Sequence, residues 1–71
     1  MLRVLIAEDE EMIRKGLVYT TDWLSMDCVV VAEAADGRDG YEKILEYRPD
    51  VVITDICMPF MDGIEMIKKA S

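Results

Sequence analysis

The sequence predicts an α/β chain of order βαβαβα, in which each of three parallel strands is followed by a helix. Three apolar runs rich in β-formers carry the strands: Leu2 to Ala7, Cys28 to Ala34 and Val51 to Ile56. The segments after them change to helical spacing. The runs are near-continuous instead of alternating, as in parallel sheets covered by helices on both faces.

Leu2 to Ala7 is broken only by Arg3 and gives way at once to Glu8-Asp9-Glu10-Glu11, so it reads as a strand covered on both faces. From Glu11 to Thr20 the spacing predicts a helix with Met12, Ile13, Leu17 and Val18 inward and Arg14 and Lys15 on the opposite side. Acids lead and bases follow, as the helix macrodipole prefers. Gly16 inside this helix costs about 1 kcal/mol against alanine, which predicts close packing against a neighbouring element. Thr20 to Ser25 is a connection with cap-forming residues and two apolar anchors, Trp23 and Leu24. Val29-Val30-Val31 is too apolar for a half-exposed edge, so the second strand is expected to be buried. Asp36 and Gly37 make a turn, and Asp39 to Tyr47 presents Tyr41, Ile44 and Leu45 on one side of a short helix stopped by Pro49. After the third strand, Cys57 to Gly63 reads as a loop and Ile64 to Ala70 as a third helix with Ile64 and Ile67 inward. Neither repeats nor linkers divide the chain.

A single core in a chain of 71 residues supplies only about 3–5 kcal/mol. The net charge of −7, with eight dispersed basic residues, argues against a nucleic-acid or anionic-membrane surface. Divalent cations and basic protein faces are the natural counterparts. Two cysteines, Cys28 and Cys57, are too few for a disulfide framework. With no signal peptide or long apolar span, free thiols in a reducing cytoplasm are the simplest expectation. Without histidine, Ser/His and Cys/His nucleophile pairs are excluded and a zinc site would rest on the two cysteines. Chemistry here must run on carboxylates.

Open parallel sheets carry their functional groups at the carboxyl ends of the strands. That places Glu8 and Asp9 after strand one and Asp55 at the end of strand three. If those strands are neighbours, the three acids share a pocket. At about 5 Å and an effective dielectric near 20, each ionised pair repels by about 3 kcal/mol. A divalent cation relieves this. Mg²⁺ suits the donors, since it takes a few carboxylate oxygens, keeps waters and leaves room for a phosphoryl oxygen. The backbone carbonyl of Cys57 could add a ligand. With the cation in place, Asp55 is the candidate nucleophile toward phosphorus, giving an acyl phosphate.

Glu8-Asp9-Glu10 and the run Asp55 to Gly63, with Ala34-Ala35-Asp36-Gly37 and Arg48-Pro49-Asp50 between them, resemble the receiver domain of two-component response regulators along essentially the whole chain. That resemblance implies a flavodoxin-like sheet of order 2-1-3-4-5, of which residues 1–71 would supply strands one to three in the order 2-1-3 and helices one to three. The last two βα units would be absent, together with the switch hydroxyl, the switch aromatic and the lysine that steady the phosphoryl group. It also implies that Asp55 is phosphorylated from a histidine kinase. Asp9, Asp55 and the Cys57 carbonyl would hold Mg²⁺, and Glu8 would assist partly through water. The Asp22-Trp23-Leu24 connection is similar to receivers attached to AraC-type outputs, so DNA would be met only through an output domain outside this chain.

Each residue has a plainer role to set beside these. Asp9 taken alone reads as a helix N-cap, and the company of Glu8 and Asp55 turns the reading to a ligand. Asp62 before Gly63 reads as a cap or turn former, Trp23 as a packing anchor and the methionines as core filler. A Mg²⁺-dependent phosphohydrolase is the enzyme alternative, but such enzymes resemble Asp-x-Asp and the second position here is Cys57. A fragment or designed half-domain that only self-assembles is the other alternative. Strand three would then be an exposed sheet edge, apolar on both faces, and two copies are expected to pair antiparallel through Val51 to Ile56.

Overall fold

The computed structural model of the chain describes residues 1–54 and 67–69. Strands β1 (Leu2–Ala7), β2 (Cys28–Ala34) and β3 (Val51–Thr54) form a parallel sheet of order β2-β1-β3. Helix α1 (Glu11–Thr20) links β1 to β2 and helix α2 (Gly37–Tyr47) links β2 to β3. Residues 67–69 are helical, inside the third predicted helix. Asp55, Ile56, the loop from Cys57 to Gly63 and the beginning of that helix lie outside the described residues.

The central strand supplies the core, and its alternation divides the core in two. Leu5 and Ala7 meet Ala34, with Ala32, Tyr41, Ile44 and Val52 packed around them on the α2 face. Val4 and Ile6 meet Cys28, with Leu17, Val18, Trp23 and Ile53 around them on the α1 face. Val4, Leu5 and Ile6 are the largest fully buried side chains among the described residues, and burial of one such aliphatic side chain stabilises by about 1.5–3 kcal/mol.

Between Val4 and Leu5 the register with β2 slips. Val4 pairs with Val30 and Leu5 with Ala32, so Val31 is an extra residue in β2. An inserted residue reverses which face the following side chains take. Cys28 and Val30 pack on the α1 face, whereas Ala32 and Ala34 pack on the α2 face. Glu33, between the latter two, is thereby turned toward α1.

The ends of the elements follow from local chemistry. Asp36 caps α2 by accepting from the Asp39 amide at 2.8 Å, which is worth about 1 kcal/mol. Arg48 closes α2 in the left-handed region at φ 48°, its amide donating to the Ile44 carbonyl, and Pro49 prevents continuation. The Arg3 amide donates to the Asp50 carboxylate at 2.8 Å and the Asp50 amide to the Arg3 carbonyl at 2.7 Å, which seats β3 beside β1. Trp23 is the anchor expected of it, its indole N–H shared between the Leu17 and Val18 carbonyls.

Several expectations are corrected. Leu2 and Arg3 are exposed and only Val4 to Ala7 of β1 are buried. β2 is mostly half-buried, as an edge strand, with Val29 exposed. Met12 is 89% and Ile13 51% exposed, so only Leu17 and Val18 of the predicted apolar face of α1 pack inward. Leu24, Leu45 and Ile67 are likewise exposed. Gly16 has nothing within 4 Å of where a Cβ would sit, so close approach does not account for it.

Candidate functional site

Parallel pairing of β1 with β3 runs in register from Val4 with Val51 to Ala7 with Thr54. Ala7, the last residue of β1, is therefore level with Thr54 of β3. Glu8 and Asp9 follow Ala7 in the chain, and Asp55 follows Thr54. Asp55 and Cys57 lie outside the described residues, so the structure locates two of the four expected ligand positions, Glu8 and Asp9.

The β1–α1 turn is tied down at several atoms. The Glu8 amide donates to the Ala34 carbonyl at 3.0 Å, extending the ladder with β2 by one step. Its side chain is buried, and Oε1 accepts from the Glu10 amide at 3.3 Å. Asp9 is exposed, and the residue at the N-cap of α1 is Glu10, with no side-chain cap. The plainer role considered for Asp9, capping this helix, is thus not what it does. Its carboxylate stands at the sheet's end, where a hard cation would take it as an oxygen ligand. Among the described residues no group of three or more His, Cys, Asp or Glu side chains is placed to hold a metal ion, so a Mg²⁺ site needs a donor beyond Glu8 and Asp9. The acid and carbonyl chemistry of Asp55 and Cys57 would fit that need.

Beside the turn lies a cluster that the sequence does not announce. Helical spacing puts Arg14 on the solvent side of α1, yet its side chain is 13% exposed. Its Nη1 donates to the Glu8 carbonyl at 2.8 Å and its Nε to Glu33 Oε1 at 3.3 Å. Lys15 Nζ donates to the same oxygen at 2.9 Å, and Lys43 Nζ to the Glu33 carbonyl. The Lys15 hydrogen bond, followed by the charges of Lys15 and Arg14, holds the Glu33 carboxyl below the usual carboxylate range against the opposing effect of burial. Lys15 is raised in turn, chiefly by Glu33. The available signal was Glu33 itself, an acid inside an apolar strand, which must find cations.

The whole pattern matches one family, the response regulator receiver domain, over residues 4–70. The chain belongs to that family. The receiver is 42% identical to the transcriptional regulatory protein YesN of Bacillus subtilis over 71 residues, all of this chain and 19% of that protein. It is also 42% identical to the transcriptional regulatory protein LiaR of the same organism, over 97% of this chain and 32% of that one. Among solved structures, the REC domain of AraT, a response regulator from Geobacillus stearothermophilus, superposes with a TM-score of 0.91 at 45% identity. That match covers 97% of the receiver and 54% of the solved chain. A two-component transcriptional regulator AraC from Clostridium phytofermentans gives 0.87 at 36% identity, over 99% and 56%. The receiver thus spans about half the length of the solved chains and 19% to 32% of these two regulators. The sheet order β2-β1-β3 is the one the flavodoxin-like receiver fold requires. No described helix is long and apolar enough to cross a membrane.

Proposed function

We propose that this receiver, in the cytoplasm, accepts a phosphoryl group on Asp55 from the phosphohistidine of a sensor histidine kinase, in a regulator whose DNA-binding output lies outside residues 1–71. What supports the reading most is the register of β1 with β3, which sets Ala7 level with Thr54, the two residues that Glu8 and Asp55 follow in the chain. A carboxylate oxygen of Asp55 attacks phosphorus in line; the P–O bond forms as the P–N bond to the kinase imidazole breaks, and the imidazole leaves with the electron pair. Asp9, Asp55 and the Cys57 carbonyl would hold Mg²⁺, with Glu8 partly through water, and the bound cation would neutralise charge on the transferring oxygens. The side chains of Met12 and Ile13, exposed on the first turn of α1 near Asp9, offer a kinase an apolar contact. The outcome is one stoichiometric modification without turnover.

The test is labelling by a small acyl phosphate or phosphoramidate with Mg²⁺, read by mass spectrometry after reductive trapping. In a protein carrying this segment with the two further βα units, one equivalent is expected on Asp55 alone, and Asp55→Asn is expected to lower labelling by at least about 100-fold. Labelling that survives Asp55→Asn overturns the assignment. Residues 1–71 alone should label poorly, lacking the lysine and hydroxyl that the family resemblance assigns to the absent units.

A second reading concerns the sheet edge. Among the described residues β3 is hydrogen-bonded to β1 alone, and all four of its residues are half-buried and apolar except Thr54. Where no later strand covers that edge, we propose that two copies pair through it, in the order 2-1-3-3-1-2. Sedimentation of the 71-residue chain should show a dimer that Val52→Pro or Ile53→Lys disrupts; a folded monomer at tens of micromolar rejects the pairing.

A further inference from the structure

We infer that Arg14 is a positioning residue for the acidic pair, fixing the peptide that joins Glu8 to Asp9 and so the place from which Asp9 presents its carboxylate. The inference rests on the proposed Mg²⁺ site and adds to it a residue that touches no ligand.

Three bonds define the device. The Glu8 amide is held by the Ala34 carbonyl of β2, and the Glu8 carbonyl by Arg14 Nη1 of α1. With both polar groups of Glu8 fixed, the orientation of the next peptide is fixed too, and with it the Cα of Asp9. Glu10, at the N-cap of α1, makes no side-chain cap bond, and the peptide on the far side of Asp9 is held by the longer bond from the Glu10 amide to Glu8 Oε1 at 3.3 Å. The guanidinium could not point at a single carbonyl without a second restraint. Glu33 provides it, accepting from Nε, and Glu33 faces α1 only because Val31 is inserted in β2. A planar guanidinium can serve both acceptors at once, which a lysine ammonium on a flexible stem does poorly.

Charge and geometry make opposite forecasts, which makes the two separable. Arg14 is a cation beside a proposed cation site, so if it acted only through its charge its removal would tighten Mg²⁺ binding. If it positions Asp9, its removal weakens binding by about tenfold, as loss of hydrogen bonds that orient ligands commonly does. The measurement is Mg²⁺ titration followed by amide NMR shifts at Glu8 to Glu10, because Trp23 packs against Leu17 and Val18 at the far end of α1.

For Arg14→Ala, still folded by circular dichroism, about tenfold weaker binding is expected; equal or tighter binding overturns the inference. Arg14→Lys keeps the charge and should stay at least about fivefold weak. Full rescue by lysine would show that charge suffices and would also overturn it. If Arg14→Ala fails to fold, the Arg14→Lys titration is decisive by itself. Lys15→Met is the control: it shares Glu33 but does not reach Glu8, and binding should stay within about twofold. An equal loss in Lys15→Met would assign the effect to general loosening of the ion-pair cluster and reject the inference. If the unaltered protein shows no saturable shifts with Mg²⁺, or Asp9→Asn binds as well as it does, the metal site itself is misplaced, a failure distinct from that of Arg14.

Discussion

Replacing Leu5 with alanine is expected to leave most of the chain unfolded at 25 °C. Leu5 is completely buried in the central strand and packs against Ala7, Ala34, Tyr41, Ile44 and Val52. Removing a buried leucine side chain costs about 2–5 kcal/mol, because the transfer energy of the lost methyls is joined by that of the cavity. The cavity would not collapse readily here. Its walls are Ala7, Ala32, Ala34 and Val52 of the sheet on one side and, on the other, a helix whose described inward contacts with this core are Tyr41 and Ile44. A core of this size supplies only about 3–5 kcal/mol, so the loss is comparable with the whole. Urea melts followed by circular dichroism measure it. Met12→Ala is the matched comparison: that side chain is almost wholly exposed, and the change should fall within about 0.5 kcal/mol. A Leu5→Ala protein with an unaltered midpoint would mean that the core has been misassigned.

The same contrast shows what could be read from the residues. Strand positions and sheet order were legible, because near-continuous apolar runs leave few places to hide three strands. The inward faces of the helices were less so. Met12 and Ile13 obey helical spacing as well as Leu17 and Val18 do, but among the described residues only Leu17 and Val18 of α1 pack against the core, and Met12 and Ile13 are exposed. Periodicity gives a face; it does not say how far the sheet extends beneath it.

The site divides along a similar line. Glu8 and Asp9 were legible as acids directly following a strand, and the β1–β3 register supports their grouping with Asp55. Arg14 was not legible, for a reason located in β2. In Val29-Val30-Val31-Ala32 every residue is apolar, so the insertion at Val31 leaves no break in alternation. Counting by twos from Cys28 sends Glu33 to the wrong face, away from α1. Only the observed register brings Glu33 to Arg14 and Lys15, and Arg14 to the Glu8 carbonyl.

Mg²⁺ should stabilise the receiver, and Asp9→Asn should invert the order of stability between the two proteins. With a dissociation constant near 1 mM, about 10 mM Mg²⁺ adds about 1.4 kcal/mol through binding to the folded state alone. For a chain of this size that raises Tm by roughly 6–11 °C. Without metal, Asp9 brings a cost and no benefit, standing ionised next to Glu8 in a chain of net charge −7. Because Asp9 is exposed, water screens most of that repulsion, and Asp9→Asn should gain no more than about 0.5 kcal/mol. The variant is therefore the slightly more stable protein in chelator and the less stable one in Mg²⁺, since it has lost a ligand. Generic screening cannot produce this crossing. An acidic chain is stabilised by any salt, but NaCl at matched ionic strength would raise both proteins together. Thermal melts in chelator, NaCl and Mg²⁺ distinguish the cases, and parallel curves for the two proteins across all three conditions would remove Asp9 from the metal site.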